Sequence, residues 1–188
     1  MTHLSPTELE QLIEFDFATA VDALDHHVAQ TPDSRAVLYG ETGETLTYAE
    51  FGELTDHVAG NLAGLGVAPG QRVSLLTTNP LVATVLMYGL WKAGAVYAPV
   101  NFQYSGDLLA YQLDDTRPTA LFVDRAMHSR IEDVSDRLSC SPRVVVLDGL
   151  REGELGDLLR PAERPAVRVA FDDPANVIST SGTTGPSK

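Results

Sequence analysis

The sequence predicts an α/β domain in which strands alternate with helices around a largely parallel sheet covered by helices. Three observations carry this. Short apolar runs of strand length recur at residues 36–39, 72–76, 96–100, 120–123 and 144–147. The segments between them repeat apolar residues at intervals of three and four, the period of a helix. The junctions carry caps and turns: Thr47, Gly66, Pro69-Gly70, Asn79-Pro80 and Gly94.

Each element follows in order. Phe17, Val21, Leu24 and Val28 share one helical face, and Pro32 ends that helix. A strand at 36–39 turns through Gly40-Glu41-Thr42-Gly43 into a second extended piece at Thr45-Leu46. Thr47-Tyr48-Ala49-Glu50 is a capping box opening a helix whose apolar stripe is Phe51, Leu54, Val58, Leu62 and Leu65. Gly66 suits a left-handed helix end, and the strand at 72–76 follows the Pro69-Gly70 turn. Asn79 caps the next helix with Pro80 at its first position. Residues 81–91 are apolar nearly all round, which predicts cover on both faces. Lys92-Ala93-Gly94-Ala95 turns into the strand at 96–100, and Ser105 caps a helix carrying Leu108, Leu109 and Leu113. The strand at 120–123, a helix near 127–138 and the strand at 144–147 come next. Residues 150–165 read as a helix and surface loop, and a last strand at 176–179 feeds a hydroxyl-rich loop.

Composition bounds the function. A length of 188 residues is one domain of ordinary size or a large piece of one, and a 44% apolar share supplies a real core. The net charge of −13 repels nucleic acid and anionic membranes, so neither is an expected partner. It does not oppose a nucleotide, because local donors act within a field screened over about 10 Å. Cys140 is the only cysteine, which excludes an internal disulfide and a paired-cysteine zinc site. No basic-then-apolar leader is visible, residues 1–16 read as a leader segment, and the apolar run 81–90 is about half a membrane span. A cytoplasmic location is expected.

The chemistry-bearing segment is the hydroxyl-rich loop. Val177-Ile178 leads into Ser179-Thr180-Ser181-Gly182-Thr183-Thr184-Gly185-Pro186-Ser187-Lys188. Gly182 and Gly185 permit positive φ and close backbone approach, and consecutive N–H groups in such a turn form an anion cradle. The hydroxyls add donors and Lys188 a positive charge. The candidate phosphate-binding residues are therefore Thr180, Ser181, Gly182, Thr183, Thr184, Gly185 and Lys188. This is not a Walker A sequence, because Pro186-Ser187 separates Gly185 from Lys188.

These residues resemble the phosphate-loop signature of adenylate-forming enzymes: acyl-CoA synthetases, peptide-synthetase adenylation domains and luciferases. Leu46-Thr47-Tyr48-Ala49-Glu50-Phe51 is similar to that family's "LTYxEL" segment, and residues 65–73 to its "LGVxxGDRV" turn and strand. Residues 93–101 are similar to "AGAVxxPxN", and Asp172-Asp173-Pro174-Ala175 to its acidic lead-in. The likeness runs from Phe17 to Lys188, in the family's order. Ser187 replaces the usual proline before the loop lysine, and Ser179 an often aromatic position.

The resemblance implies the N-terminal part of the large domain of such an enzyme, ending at the phosphate loop. It implies a ligase that joins a carboxylic acid to AMP from ATP with Mg²⁺ and then passes the acyl group to a thiol, often that of coenzyme A. It also implies that the acyl and adenine pocket, the ribose-holding acid, the hinge and the C-terminal domain with its lysine lie beyond Lys188. No catalytic acid or base is assigned within the chain, and the isolated chain is expected to be inactive. The acid, the thiol acceptor and the oligomeric state stay open. So do two rival readings, a noncatalytic remnant that binds a partner and a small nucleotide sensor. His26-His27, His57, His128, Asp114-Asp115 and Asp172-Asp173 read as surface or turn residues, Met87 and Trp91 as packing. Cys140 has no adjacent base.

Overall fold

The computed structural model of the chain describes residues 17–148 and 153–179, residues 153 and 154 by their backbone alone. The expected leader at 1–16 and the loop at 180–188 lie outside the described residues. The order is α1 (Ala20–Gln30), β1 (Arg35–Tyr39), β2 (Glu44–Thr47), α2 (Tyr48–Asn61), β3 (Arg72–Leu76), α3 (Pro80–Lys92), β4 (Val96–Pro99), α4 (Gly106–Thr116), β5 (Ala120–Asp124), α5 (His128–Ser135), β6 (Arg143–Leu147) and α6 (Gly153–Leu158).

β4-β3-β5-β6 form a parallel sheet, and β1 and β2 a separate antiparallel hairpin. Period-two alternation sends neighbouring residues of β5 to opposite layers. Ala120 and Phe122 join the core beneath α1, α2, α3 and α6, while Leu121 and Val123 join the one beneath α4 and α5. Both faces are thus covered, as a parallel sheet requires. The two helix layers explain why β5 reads as an unbroken apolar run.

Local signals set the boundaries. α1 starts at Ala20, not at Phe17, because Thr19 and Asp22 form a reciprocal capping box at 3.1 and 3.0 Å. The box expected at α2 is present: Glu50 N–H donates to Thr47 Oγ1 at 3.2 Å, and Thr47 N–H to Glu50 Oε2 at 2.8 Å. The stripe of α2 continues past Asn61 through a 3₁₀ turn, Leu62–Leu65, that Gly66 closes at φ 78°. Asn79 Oδ1 accepts from Leu81 and Val82 N–H, with Pro80 at the first helical position. Along α3 only one face is fully buried, and Ala83, Thr84, Met87, Tyr88 and Trp91 are half-buried. Ser105 stands at the N-cap of α4 but its side chain makes no capping bond. Leu108 of that helix is exposed while Leu109 and Leu113 are buried.

The last predicted strand is shorter than expected. Residue 176 forms one parallel bridge to Tyr97 of β4, framed by Tyr97 N–H to Ala175 O and Val177 N–H to Tyr97 O, each 2.9 Å. Pro174 cannot donate to extend the ladder backward, and the segment has only β4 as a sheet neighbour.

Candidate nucleotide-phosphate site

The direction of the segment that precedes the loop follows from this bridge. Because residues 175–177 run parallel to β4, they head toward the carboxyl ends of the sheet strands. Loops at that end are where open α/β sheets hold ligands. Thr180, Ser181, Gly182, Thr183, Thr184, Gly185 and Lys188 lie outside the described residues, so the structure brings none of them to a described contact.

The loops after β3, β5 and β6 are linked to one another. Thr78, after β3, donates its N–H and its hydroxyl to Asp124 Oδ2 at 2.8 and 3.1 Å. The next residue, Arg125, grips the Asp148 carboxylate with two nitrogens, Nη2 to Oδ2 at 2.6 Å. That bond holds the Asp148 carboxyl below its ordinary value, although burial opposes the shift. After β4, Asn101 Oδ1 accepts the N–H of Gln103 at 2.9 Å. The loops after β3, β5 and β6 are thus braced to one another at the carboxyl end of the sheet, while residues 176–179 run toward that end along the outer edge of β4.

The residues expected to be bland occupy ordinary settings. His26 and His27 rest against Phe17, and His27 stacks on Tyr48 with centroids 4.9 Å apart. Burial and the nearby Asp114 carboxylate push the Cys140 thiol up, away from the reactive thiolate. Burial pushes the Asp114 carboxyl up, but hydrogen bonds from Ser139 and Cys140 outweigh it and leave the group below its ordinary value. Asp173 accepts the N–H of Ala170 at 2.7 Å, a turn contact. Among the described residues, no group of three or more His, Cys, Asp and Glu side chains is placed to hold a metal ion. Among them, too, no helix is long and apolar enough to cross a membrane.

Two neighbouring residues have roles that the sequence did not reveal. Lys92, expected in a turn, is the last residue of α3 and is fully buried. Its Nζ bonds Asp56 Oδ1 of α2 at 2.7 Å and Gly52 O at 3.2 Å, and lies 3.6 Å from Asp25 of α1. Arg164 closes the cluster with a 2.7 Å bond to Asp25 Oδ2. A lysine ending an otherwise apolar helix was the available signal; its acids sit on two other helices, which spacing along the chain does not show. Trp91 donates its indole N–H to Ala175 O at 3.1 Å and to Asn176 Oδ1 at 3.2 Å.

A parallel sheet covered by helices on both faces, with loops braced at its carboxyl end, defines an open α/β domain, and in the sequence the glycine- and hydroxyl-rich run directly follows the last described segment. The chain belongs to the AMP-binding enzyme family, whose model matches residues 24–188. It is 31% identical over 160 residues to long-chain-fatty-acid–CoA ligase FadD13 of Mycobacterium tuberculosis, covering 84% of this chain and 31% of that protein. It is 32% identical over 194 residues to tyrocidine synthase 3 of Brevibacillus parabrevis, covering 98% of this chain and 3% of that one. The anthranilate CoA ligase AuaEII, solved with anthranoyl-AMP, superposes with a TM-score of 0.80 at 25% identity over 94% of this chain and 35% of its own. The chain thus spans about a third of the length of these CoA ligases.

Proposed function

We propose that residues 17–188 are the N-terminal, phosphate-gripping part of an ATP-dependent carboxylate-activating ligase that acts in the cytoplasm. The carboxylate oxygen bonds to the α-phosphorus of ATP while the bond to the bridging oxygen breaks, giving acyl-AMP and pyrophosphate. The sulfur of a thiol, that of coenzyme A, then bonds to the acyl carbon, its proton is released and AMP leaves. The first step needs no general base, since a carboxylic acid of pKa about 4 is ionised at neutral pH. Its obstacle is charge repulsion, so positioning and neutralisation carry the catalysis. Thr180, Ser181, Thr183, Thr184 and Lys188, with backbone N–H groups at Gly182 and Gly185, hold the β- and γ-phosphates. Magnesium supplies positive charge on the phosphate oxygens. Each charge-assisted hydrogen bond contributes about 1.5–3 kcal/mol, so several converging ones suffice to orient a triphosphate.

The observation that supports this reading is the parallel bridge at residue 176, which directs the segment preceding the family-like run toward the carboxyl end of the sheet. A second reading, a peptide-synthetase adenylation domain with a carrier-protein thiol as acceptor, draws on the 32% identity to tyrocidine synthase 3. The test is carboxylate-dependent ATP–pyrophosphate exchange together with ATP binding by the purified 188-residue chain. Millimolar ATP binding without exchange is expected, because the chain spans about a third of the length of its CoA-ligase relatives and ordering the loop consumes binding energy. Measurable exchange overturns the fragment reading, and micromolar ATP binding without exchange favours a nucleotide sensor.

A further inference from the structure

Resting on that reading, we infer that Trp91 is a positioning residue for the phosphate loop, acting through Ala175 and Asn176. The Ala175 carbonyl is held from two sides, by Tyr97 N–H at 2.9 Å and by the Trp91 indole N–H at 3.1 Å. The same indole N–H reaches Asn176 Oδ1 at 3.2 Å. Val177, bonded to Tyr97 O, is the last residue tied to β4 by backbone among the described residues. Ile178 beyond it is exposed, and the loop begins two residues later at Thr180. The lock at 175–176 sits beside Val177, the last of these β4 attachments, and a few residues before Thr180 in the sequence.

The lock is rigid because the indole is itself held. Trp91 meets Tyr88 edge to face at 5.0 Å, and Tyr88 meets the buried Phe51 of α2 in the same manner at 5.1 Å. Such pairs favour one ring orientation over others. The ladder Phe51–Tyr88–Trp91 carries the order of the α2–α3 core to a segment that has little order of its own. A phosphate grip depends on donors held to within about 0.5 Å, so loosening a tether a few residues before Thr180 is expected to weaken phosphate binding.

The test compares the wild-type 188-residue chain with Trp91→Phe, Asn176→Leu, Asn176→Asp and the double variant Trp91→Phe/Asn176→Leu. Phenylalanine keeps the contact with Tyr88 and removes the donor; aspartate keeps a side-chain oxygen acceptor. Three quantities are read: amide hydrogen exchange at Val177, inorganic pyrophosphate affinity from ³¹P line broadening, and the thermal midpoint. Loss of the donor is expected to speed Val177 exchange and weaken pyrophosphate binding, each about two- to tenfold, the range of one hydrogen bond. Asn176→Asp is expected to restore both, and the double variant to add little to Trp91→Phe. The inference is overturned if exchange and affinity are unchanged, or change only in proportion to the thermal midpoint. If the wild-type chain does not broaden pyrophosphate at millimolar concentration, the phosphate reading fails and with it the role in phosphate positioning. Val177 exchange then reports separately whether Trp91 anchors the segment.

Discussion

β5 and the stretch from residue 159 to 179 are held in opposite ways. β5 lies between β3 and β6, and its side chains fill both helix layers without exposure at residues 120–123. The 159–179 stretch forms no helix or strand, and its Phe171 and Ile178 are largely exposed. Among the described residues it is fastened at separated points: Asn61 Nδ2 to Leu158 and Arg160 carbonyls, Arg164 to Asp25, Val167 against Gly94, and the Trp91 lock. The sheet supplies stability, and the segment that delivers the signature loop is drawn from the less secured end. Ligand-binding segments come from that end because they must adjust to what they bind.

The largest expected effect falls on Lys92, which shares Asp25 and Asp56 with Arg164 of the 159–179 stretch. Lys92→Ala leaves Asp25 and Asp56 without their buried partner, and breaking such a pair costs about 3–5 kcal/mol. The low end applies, because Asp56 and Asp25 retain 39% and 43% side-chain exposure and so keep part of their solvation. Urea denaturation reads the loss, and a change under about 1 kcal/mol, the size of a surface pair, refutes the buried-cluster account.

Two glycines sharpen the comparison directly. A Cβ at Gly89 would stand 2.6 Å from Val58 Cβ, between two packed helices. A Cβ at Gly60 would stand 2.5 Å from Glu163 O and 2.8 Å from Ala162 Cβ, on the loosely fastened stretch. Gly89→Ala is expected to cost about 1–3 kcal/mol, the range for overpacking a core. Gly60→Ala is expected to cost less despite the similar clash, because the stretch can move aside. Equal midpoints of chemical denaturation for the two variants would break the distinction.

Acid exposes a smaller effect. The folded Asp114 carboxyl lies below its ordinary value, so its contribution is present above the unfolded carboxylate range and lost as pH falls through the folded value. Asp114→Asn is expected to flatten the decline in stability below about pH 4, the unfolded carboxylate range. An unchanged acid limb of the denaturation profile contradicts this. The smallest effect belongs to Arg117, a non-glycine residue at φ 46° at the end of α4. Arg117→Gly relieves left-handed strain of about 1–2 kcal/mol and gives back part of it as chain entropy, leaving a gain of about 0.5 kcal/mol by thermal midpoint.

The same contrast explains what was legible from sequence. Short apolar runs, the three-to-four-residue helical period, the Thr47 and Asn79 caps and Gly66 are local, and they located β3 to β6 and α2 to α5 within a few residues. The capping box at Thr19 escaped notice because aspartate takes the place of the usual glutamate. The strand expected at 176–179 reduced to one bridge because strand length depends on a neighbour, which the sequence does not display. The signature loop was legible through its residue types and its order among four family-like segments. Lys92 and Trp91 were not, since their partners lie 36 to 85 positions away.

In the proposed function, residues 180–188 grip the distal phosphates of ATP. The direct measurement is the ³¹P spectrum of MgATP at millimolar concentration with the wild-type chain and with Lys188→Ala and Gly182→Val. Wild type is expected to broaden the β- and γ-phosphorus lines more than the α line, and both variants to lose the difference with the fold unchanged by circular dichroism. Equal spectra for the wild-type chain and both variants would contradict it.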